Sequence, residues 1–238
     1  MRTLTLVALS VLLVAGLASG GPIATVESVQ DNNIRAGSYA NDVQSPNAGT
    51  IFIKHDTNVS YRRKGYVKFD LSGLEYDADQ SAVLTFRYGG TGSGSGTGQN
   101  ILAWALKPGA AGFDWDESTI TWNNAPANNT GNSSFLASGA DPLETGYGFW
   151  VPYSETLGAI DTVTIPRLGD YIQADGTVTI LLEPRSDAGV RQTSLTSSEN
   201  SEFPGPELTF SVPEPATLTL LGLAACGLGG YVRRNKAR

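Results

Sequence analysis

The chain has 238 residues, with 16 Lys and Arg against 23 Asp and Glu, and its formal net charge is −7 at pH 7. Such an acidic surface repels nucleic acid and anionic lipid headgroups, so we expect no nucleic-acid partner. The single cysteine, Cys226, and the single histidine, His55, exclude a disulfide framework and any zinc site built from several histidines.

The first residues have the three parts of a secretory signal. Arg2 gives a short positive start, residues 4–16 are apolar, and residues 18–20 are the small residues that precede a cleavage site. We therefore predict a signal peptide over residues 1–20, formed as a short helix and removed by signal peptidase before Gly21. The chain is then expected to enter an export route.

Residues 21–212 are long enough for one large domain with its own core. Their apolar residues come in short runs that alternate with polar residues, and turn-forming Gly, Pro, Asn and Asp separate the runs, which is typical of β-strands. We predict an all-β fold, a jelly-roll-like antiparallel β-sandwich. The predicted strands are residues 50–54, 66–71, 82–88, 101–106, 162–165, 177–182 and 207–212.

Two segments between the strands have a different pattern. Residues 166–174 place Leu168, Tyr171 and Ile172 on one helical face, which predicts one short helix. Residues 89–98 consist mainly of Gly, Ser and Thr, which predicts a long flexible hairpin loop at one end of the sandwich.

The C-terminal segment combines a Pro213-Glu214-Pro215 motif, an uncharged apolar run over residues 216–232 and a basic end over residues 233–238. As a helix, the apolar run is just long enough to span a bilayer. The basic end is then expected to stay in the cytoplasm. The residues alone fit either a plain transmembrane anchor or a sorting signal.

The order of these parts resembles the PEP-CTERM tail of bacterial envelope proteins. This tail also goes under the name ice-binding protein C-terminal domain, which carries no evidence of ice binding. The resemblance over residues 213–238 implies recognition and cleavage by an exosortase, a membrane cysteine protease. A membrane-inserted precursor would then pass to the cell surface or extracellular matrix, and Cys226 would be removed with the tail.

Three stretches of the central region resemble the bacterial DNRLRE domain. They are residues 31–41 (DNNIRAGSYAN), 65–74 (GYVKFDLSGL) and 115–126 (WDESTITWNNAP), the last being the most specific. Residues 198–208 (SENSEFPGPEL) look like the domain's closing segment, so the resemblance spans about residues 31–212. It implies a jelly-roll β-sandwich related to the non-catalytic carbohydrate-binding modules that occur beside polysaccharide-active enzymes.

The most specific stretch also holds a candidate glycan-binding site, formed by Trp115, Asp116, Asn123 and Asn124. Exposed aromatic faces stack on sugar rings, and carboxylate and amide groups bond to sugar hydroxyls. The alternative is structural, with Trp115 and Trp122 in the core and the asparagines in a turn. The sequence leaves both interpretations open.

A second candidate site is a calcium site at Asp31, Asn33 and Asp42. Calcium takes six to eight oxygen ligands, and this part of the chain, expected to be a loop, is rich in carboxylate and amide oxygens. Asp and Asn are also ordinary turn residues, so a turn without metal is the alternative. Any calcium here would be structural.

The sequence therefore predicts an exported, non-enzymatic protein of the envelope or matrix that binds or organises extracellular polysaccharide. A purely structural surface protein and a glycan hydrolase or lyase are the alternatives. A clustered row of exposed aromatic side chains on one sheet face would favour binding. Burial of all four tryptophans would favour the structural alternative.

Overall fold

The computed structural model describes residues 23–45, 49–91, 98–131, 138–143, 149–152, 156–185 and 191–211. The predicted signal helix, the Pro213-Glu214-Pro215 motif and the predicted membrane helix over residues 216–232 lie outside these residues. In the described part of the chain, no helix is both long and apolar enough to cross a membrane. Residues Ala24–Phe210 form one compact unit.

The regular structure of the described residues consists of β-strands and short 3₁₀ turns. The strands are β1 (Ile23–Glu27), β2 (Gln30–Arg35), β3 (Thr50–His55), β4 (Arg63–Asp70), β5 (Ala82–Thr91), β6 (Gly98–Leu106), β7 (Ala140–Pro142), β8 (Phe149–Pro152), β9 (Ile160–Ile165), β10 (Thr177–Pro184), β11 (Arg191–Thr196) and β12 (Glu207–Ser211). The 3₁₀ turns are Gly37–Tyr39, Val59–Tyr61 and Leu168–Tyr171.

The strands form an antiparallel sandwich. The hydrogen-bonded order is β1-β12-β5-β11-β3-β4-β10-β6-β7, with β2 beside β4, β8 beside β6 and β9 beside β5. Strand β5 joins the two layers, because it pairs with β9 and β12 at its start and with β11 at its end. The register shifts between Ser194 and Leu195, opposite Gly90, whose φ of +123° is open to glycine but costly for other residues.

The predicted all-β antiparallel sandwich is confirmed, and each predicted apolar run lies within a strand or overlaps one. The alternation predicted these strands because every second side chain faces the core between the layers. This core includes Ile51, Phe69, Leu84, Ile180 and Leu208, each at most 1% exposed. Burial of one such side chain contributes about 1.5–3 kcal/mol.

Three local predictions were wrong. Residues 166–174 form only the 3₁₀ turn Leu168–Tyr171, because the Leu168 and Gly169 amides bond to carbonyls of the neighbouring loop near Gln80. The region of Asp31, expected as a loop, is strand β2, since β4 supplies a full set of backbone partners. Strands β5 and β6 are not neighbours in the sheet, so the connection between them is not a hairpin.

A second apolar cluster lies outside the main core and is built around β4. Residues 115–125 fold over this strand in a series of turns, with no strand of their own. Trp115, Ile120, Trp122 and Ala125 of this segment pack with Tyr66 of β4. The members of the cluster also include Ile34, Ala36, Leu106 and Leu181. We call residues 115–128 the covering segment.

Candidate functional site

Trp115, predicted as a sugar-stacking residue, lies in this second cluster. It is 7% exposed, and its ring meets the Tyr66 ring edge-on with 5.9 Å between centroids. Its indole N–H donates to Thr179 Oγ1 at 3.1 Å, and the Lys68 ammonium lies 4.7 Å from its ring centre. Because so little of the ring reaches solvent, Trp115 offers no platform for a sugar. The core alternative is the one that the structure shows for Trp115 and for Trp122, which is 3% exposed.

Asp116, Asn123 and Asn124, the polar residues of the predicted glycan site, are exposed and lie in turns of the covering segment. Asp116 Oδ1 accepts from the Ser118 amide at 2.8 Å, and the hydrogen bonds from Ser118 lower the pKa of Asp116. Asn124 Oδ1 accepts from the Thr121 amide at 2.6 Å. Asn123 lies in the same turn and is exposed. A glycan contact at Asp116, Asn123 and Asn124 therefore stays a prediction, without an exposed aromatic partner in the covering segment.

Two of the three predicted calcium ligands, Asp31 and Asn33, accept hydrogen bonds from backbone amides. Asp31 Oδ2 accepts from the Ser198 amide at 2.9 Å, and Asn33 Oδ1 accepts from the Phe52 amide at 3.3 Å. Asp31 and Asn33 are buried in β2, whereas Asp42 is exposed. Among the described residues, no group of three or more His, Cys, Asp or Glu side chains is placed to hold a metal ion. The calcium site stays a prediction that these contacts do not support.

Asp31 and Glu117 instead link β2 to the covering segment. The Asp31 amide donates to Glu117 Oε2 at 3.1 Å, and Ser28 Oγ donates to Asp31 Oδ2 at 2.8 Å. Asp31 Oδ1 is buried without a hydrogen-bond partner in the described part of the chain. Burial raises the pKa of Asp31 to about 6, and the negative charge of Glu199 adds to this effect. Burial also raises the pKa of Glu117.

Two exposed tyrosines meet an arginine where two 3₁₀ turns touch. Tyr39 is 37% exposed and Tyr61 is 44% exposed. The Arg35 guanidinium carbon lies 3.5 Å from the Tyr39 ring centre and 5.3 Å from the Tyr61 ring centre. Gly37 permits this approach, because a Cβ at its φ of +66° would lie 2.4 Å from Ser60 Oγ. Arg35 Nε also donates to the Ser60 carbonyl oxygen at 2.8 Å, which fixes the guanidinium in place.

A second cation–aromatic pair lies on the adjoining strands. The Arg63 guanidinium carbon is 5.5 Å from the Phe52 ring centre, and Arg63 Nη1 donates to Gln192 Oε1 at 2.7 Å. Lys54, which pairs with Arg63 across β3 and β4, places its Nζ 5.0 Å from the Tyr61 ring centre. An open cavity of about 170 Å³ is lined by Asn33, Gln44, Ser45, Phe52 and Arg63.

We call Arg35, Tyr39, Phe52, Lys54, Tyr61 and Arg63 the cationic aromatic surface. Arg35 and Arg63 face each other across β2 and β4, and burial, together with the charge of Arg35, lowers the pKa of Arg63. Asp56 forms a salt bridge with Lys54, with 2.9 Å between Asp56 Oδ2 and Lys54 Nζ. The surface thus combines aromatic rings with excess positive charge, on a protein whose net charge is negative.

No sequence pattern predicts this surface. Its residues come from β2, β3, β4 and the 3₁₀ turns, and no short motif joins them. The only available signal was the basic run Arg62-Arg63-Lys64. The residues of that run lie in different environments, because Arg63 lines the cavity whereas Lys64 is buried and 1% exposed.

An all-β sandwich that carries exposed aromatic rings and, separately, an open cavity with mostly polar lining is typical of a carbohydrate-binding module. The sequence profile of carbohydrate-binding module family 96 matches residues 22–141, about half of the chain. The chain belongs to this family. A PEP-CTERM protein-sorting motif matches residues 211–236, which indicates an exported protein with a membrane-anchored precursor processed by an exosortase.

Two individual proteins share part of this similarity. A gellan lyase from Bacillus sp. is 33% identical over 116 residues, which are 48% of this chain. The chain spans only 4% of that lyase. The CBM22-1 xylan-binding domain of Paenibacillus barcinonensis Xyn10C aligns over 82% of this chain and 99% of its own, with 8% identity and a TM-score of 0.35. A similarity at that level carries no argument about function.

Proposed function

We propose that this exported protein binds acidic polysaccharide through the cationic aromatic surface and acts without catalysis. The observation that carries the proposal is the Arg35 guanidinium held between two exposed tyrosine rings. The family membership supports binding as the function, and the all-β antiparallel sandwich is compatible with the jelly roll that the family resemblance implies. The lyase similarity covers too little of that enzyme to argue for lyase activity here.

The chemistry of the surface favours a carboxylate-bearing glycan. Tyrosine rings present flat apolar faces to the C–H groups of sugar rings, and they lose little conformational entropy on binding. Guanidinium groups bind carboxylates through paired hydrogen bonds. Arg35 and Arg63 lie within the influence of each other's charge, so a bound carboxylate would relieve their repulsion.

The net charge of the chain is no obstacle to such a ligand. The exported region carries 22 acidic and 11 basic residues, which on average disfavours polyanions. At physiological salt, however, exposed charges more than about 8 Å apart are largely screened. The local groups therefore decide the contact, and affinity should fall as salt rises.

The binding experiment compares one acidic polysaccharide before and after chemical reduction of its carboxyl groups. Affinity electrophoresis of the full-length protein should show retardation by the acidic form and much less by the reduced form. Replacing Arg35 with Met should weaken binding to the acidic form about tenfold, equivalent to about 1.4 kcal/mol. Arg167→Met is the matched control, since Arg167 is exposed and paired with Asp79 away from this surface.

Each alternative has a distinct outcome. Equal retardation by the acidic and the reduced polysaccharide would show that the protein binds glycan but does not recognise the carboxyl groups. No retardation by any acidic or neutral polysaccharide would support the purely structural alternative. Equal loss in Arg35→Met and Arg167→Met would move the binding site off the cationic aromatic surface.

We further propose that Pro213-Glu214-Pro215 is the part of the tail that the exosortase recognises. The matched sorting motif supports this, since it includes these residues. Glu214→Ala should leave uncut precursor in the membrane of the producing cell, visible as a larger band in the membrane fraction. Normal processing of this variant would contradict the assignment without affecting the glycan proposal.

A further inference from the structure

Lys64 is a buried lysine whose ammonium contacts a side-chain amide. It is 1% exposed, and its Nζ donates to Asn128 Oδ1 at 2.8 Å. The amide carbon Cγ of Asn128 therefore lies one bond beyond the atom that Nζ contacts. Asn128 Nδ2 donates to the Trp122 carbonyl oxygen at 2.6 Å, so the amide group is fixed at both ends.

A buried carboxyl group lies beside this pair. Strand β10 pairs Leu182 with Gly65 and Leu181 with Tyr66, so Glu183 and Lys64 are the next residues along the antiparallel strands. Glu183 is 1% exposed, and its Oε1 accepts from the Trp104 indole N–H at 3.2 Å. The register thus brings a lysine, a carboxyl group and an amide together beneath the covering segment.

The surroundings of Lys64 favour the neutral amine. The Trp122 ring centre lies 4.8 Å from Nζ, and Trp122 belongs to the second apolar cluster. Burial lowers the pKa of Lys64 to about 8, although the charge of Glu183 acts in the opposite direction. Near neutral pH a usable fraction of Lys64 is therefore unprotonated, which is the form of lysine that acts as a nucleophile.

We infer that Lys64 and Asn128 are joined by an intramolecular isopeptide bond, with Glu183 as the proton-transfer group. The Glu183 carboxylate takes one proton from the Lys64 ammonium. The lone pair on Nζ then attacks Asn128 Cγ, a new Nζ–Cγ bond forms, and the Cγ–Nδ2 bond breaks. The leaving nitrogen takes one proton from Nζ and one from Glu183 and departs as ammonium, so the Glu183 carboxylate is restored without any oxidant.

The position of the bond suits an exported protein. The single cysteine of the chain is in the sorting tail, so the sandwich cannot form a disulfide. A bond from Lys64 to Asn128 closes a long loop of chain and fastens the end of the covering segment to β4. A cross-link of this kind stabilises mainly by restricting the unfolded chain. This inference is independent of the glycan proposal.

Lys68 provides a comparison within the same strand. It is also buried, and its Nζ lies 4.7 Å from the Trp115 ring centre. Its hydrogen bond, however, goes to the Trp115 main-chain carbonyl oxygen and not to a side-chain amide. Attack there would cut the main chain, so Lys68 is expected to keep a free amine.

The experiment is peptide mapping by mass spectrometry of the full-length protein purified from its producing cells. Trypsin should not cut after Lys64, and the peptides that contain Lys64 and Asn128 should appear as one joined species, lighter by one ammonia than their sum. Glu183→Gln and Asn128→Ala should return the separate peptides with cleavage after Lys64. Asn129→Ala is the matched control, and its joined species should persist.

The outcomes separate clearly. Separate peptides from folded wild-type protein after prolonged incubation near pH 8 would overturn the inference. Loss of ammonia at Asn128 without a joined peptide would also overturn it, because that product is a succinimide. If a variant does not fold, the wild-type map and the Asn129→Ala map still decide the question.

Discussion

The covering segment and the cationic aromatic surface differ in both sequence and exposure. The covering segment has the most distinctive sequence of the chain, yet its two tryptophans are 7% and 3% exposed. The cationic aromatic surface has no motif, yet it exposes two tyrosines beside a guanidinium. In this protein a distinctive pattern reflects the demands of packing, whereas the ligand surface is assembled from residues distant in sequence.

The largest effect is expected from Trp122→Ala in the covering segment. Trp122 packs in the second cluster, and its indole N–H donates to the Thr130 carbonyl oxygen at 3.4 Å. Truncation of a buried tryptophan costs about 3–5 kcal/mol, so the free energy of unfolding should fall by that amount. Urea denaturation measures it. A loss below about 1 kcal/mol would contradict the structural role assigned to this segment.

The next effect concerns Asp31, which connects β2 to the covering segment. Its pKa is about 6 in the folded protein against 3.8 ordinarily, so the folded state binds its proton more tightly than the unfolded state. The stabilisation is complete below pH 3.8 and is lost as the pH rises through 6. In Asp31→Asn the decline between pH 4 and pH 7 should be smaller by about 1–3 kcal/mol.

Denaturation curves at several pH values check the Asp31 prediction. Glu117, whose pKa is also raised, leaves a residual slope in the variant. Asp79→Asn is a suitable control, since Asp79 is exposed and paired with Arg167. An unchanged slope in Asp31→Asn would show that Asp31 does not retain its proton on folding.

A smaller effect, on binding alone, is expected from Tyr61→Ala on the cationic aromatic surface. The ring is 44% exposed, so its loss should change the free energy of unfolding by less than about 0.5 kcal/mol. Affinity for the acidic polysaccharide should fall about tenfold, because the ring face is removed. Trp150→Ala is the control, since Trp150 is equally exposed but absent from this surface. Equal losses of affinity in Tyr61→Ala and Trp150→Ala would show that the cationic aromatic surface is not the binding site.

The smallest effect is expected from Ala127→Gly at the end of the covering segment. Ala127 has a φ of +52°, a left-handed conformation that costs an alanine about 1–2 kcal/mol. Glycine relieves this cost but loses more entropy on folding, so a net gain of about 0.5–1 kcal/mol is expected. Thermal unfolding measures it, and a destabilised variant would show that the Ala127 methyl group contributes more than its strain costs.

The strands illustrate how far the sequence can predict this fold. Strands β3 and β5 alternate buried and more exposed residues, because one face of each packs in the core, whereas β10 is buried on both faces and has consecutive apolar residues. Strand β2 was missed because its residues are mostly polar, and the partners that make burial of Asp31 and Asn32 acceptable come from Ser198 and Glu117, far along the chain. Local β-strand propensity takes no account of partners so distant in sequence.

The amino-acid sequence by itself determined the all-β class, the family resemblance and the sorting tail, because these depend on local periodicity and on the order of contiguous segments. The tertiary structure alone decided that Trp115 is buried, that Arg35 meets two tyrosines and that Lys64 meets Asn128. These contacts join residues from separate strands and turns, and their burial and distances are set by sheet register and packing. No single stretch of the sequence determines either the burial of these residues or the distances between them.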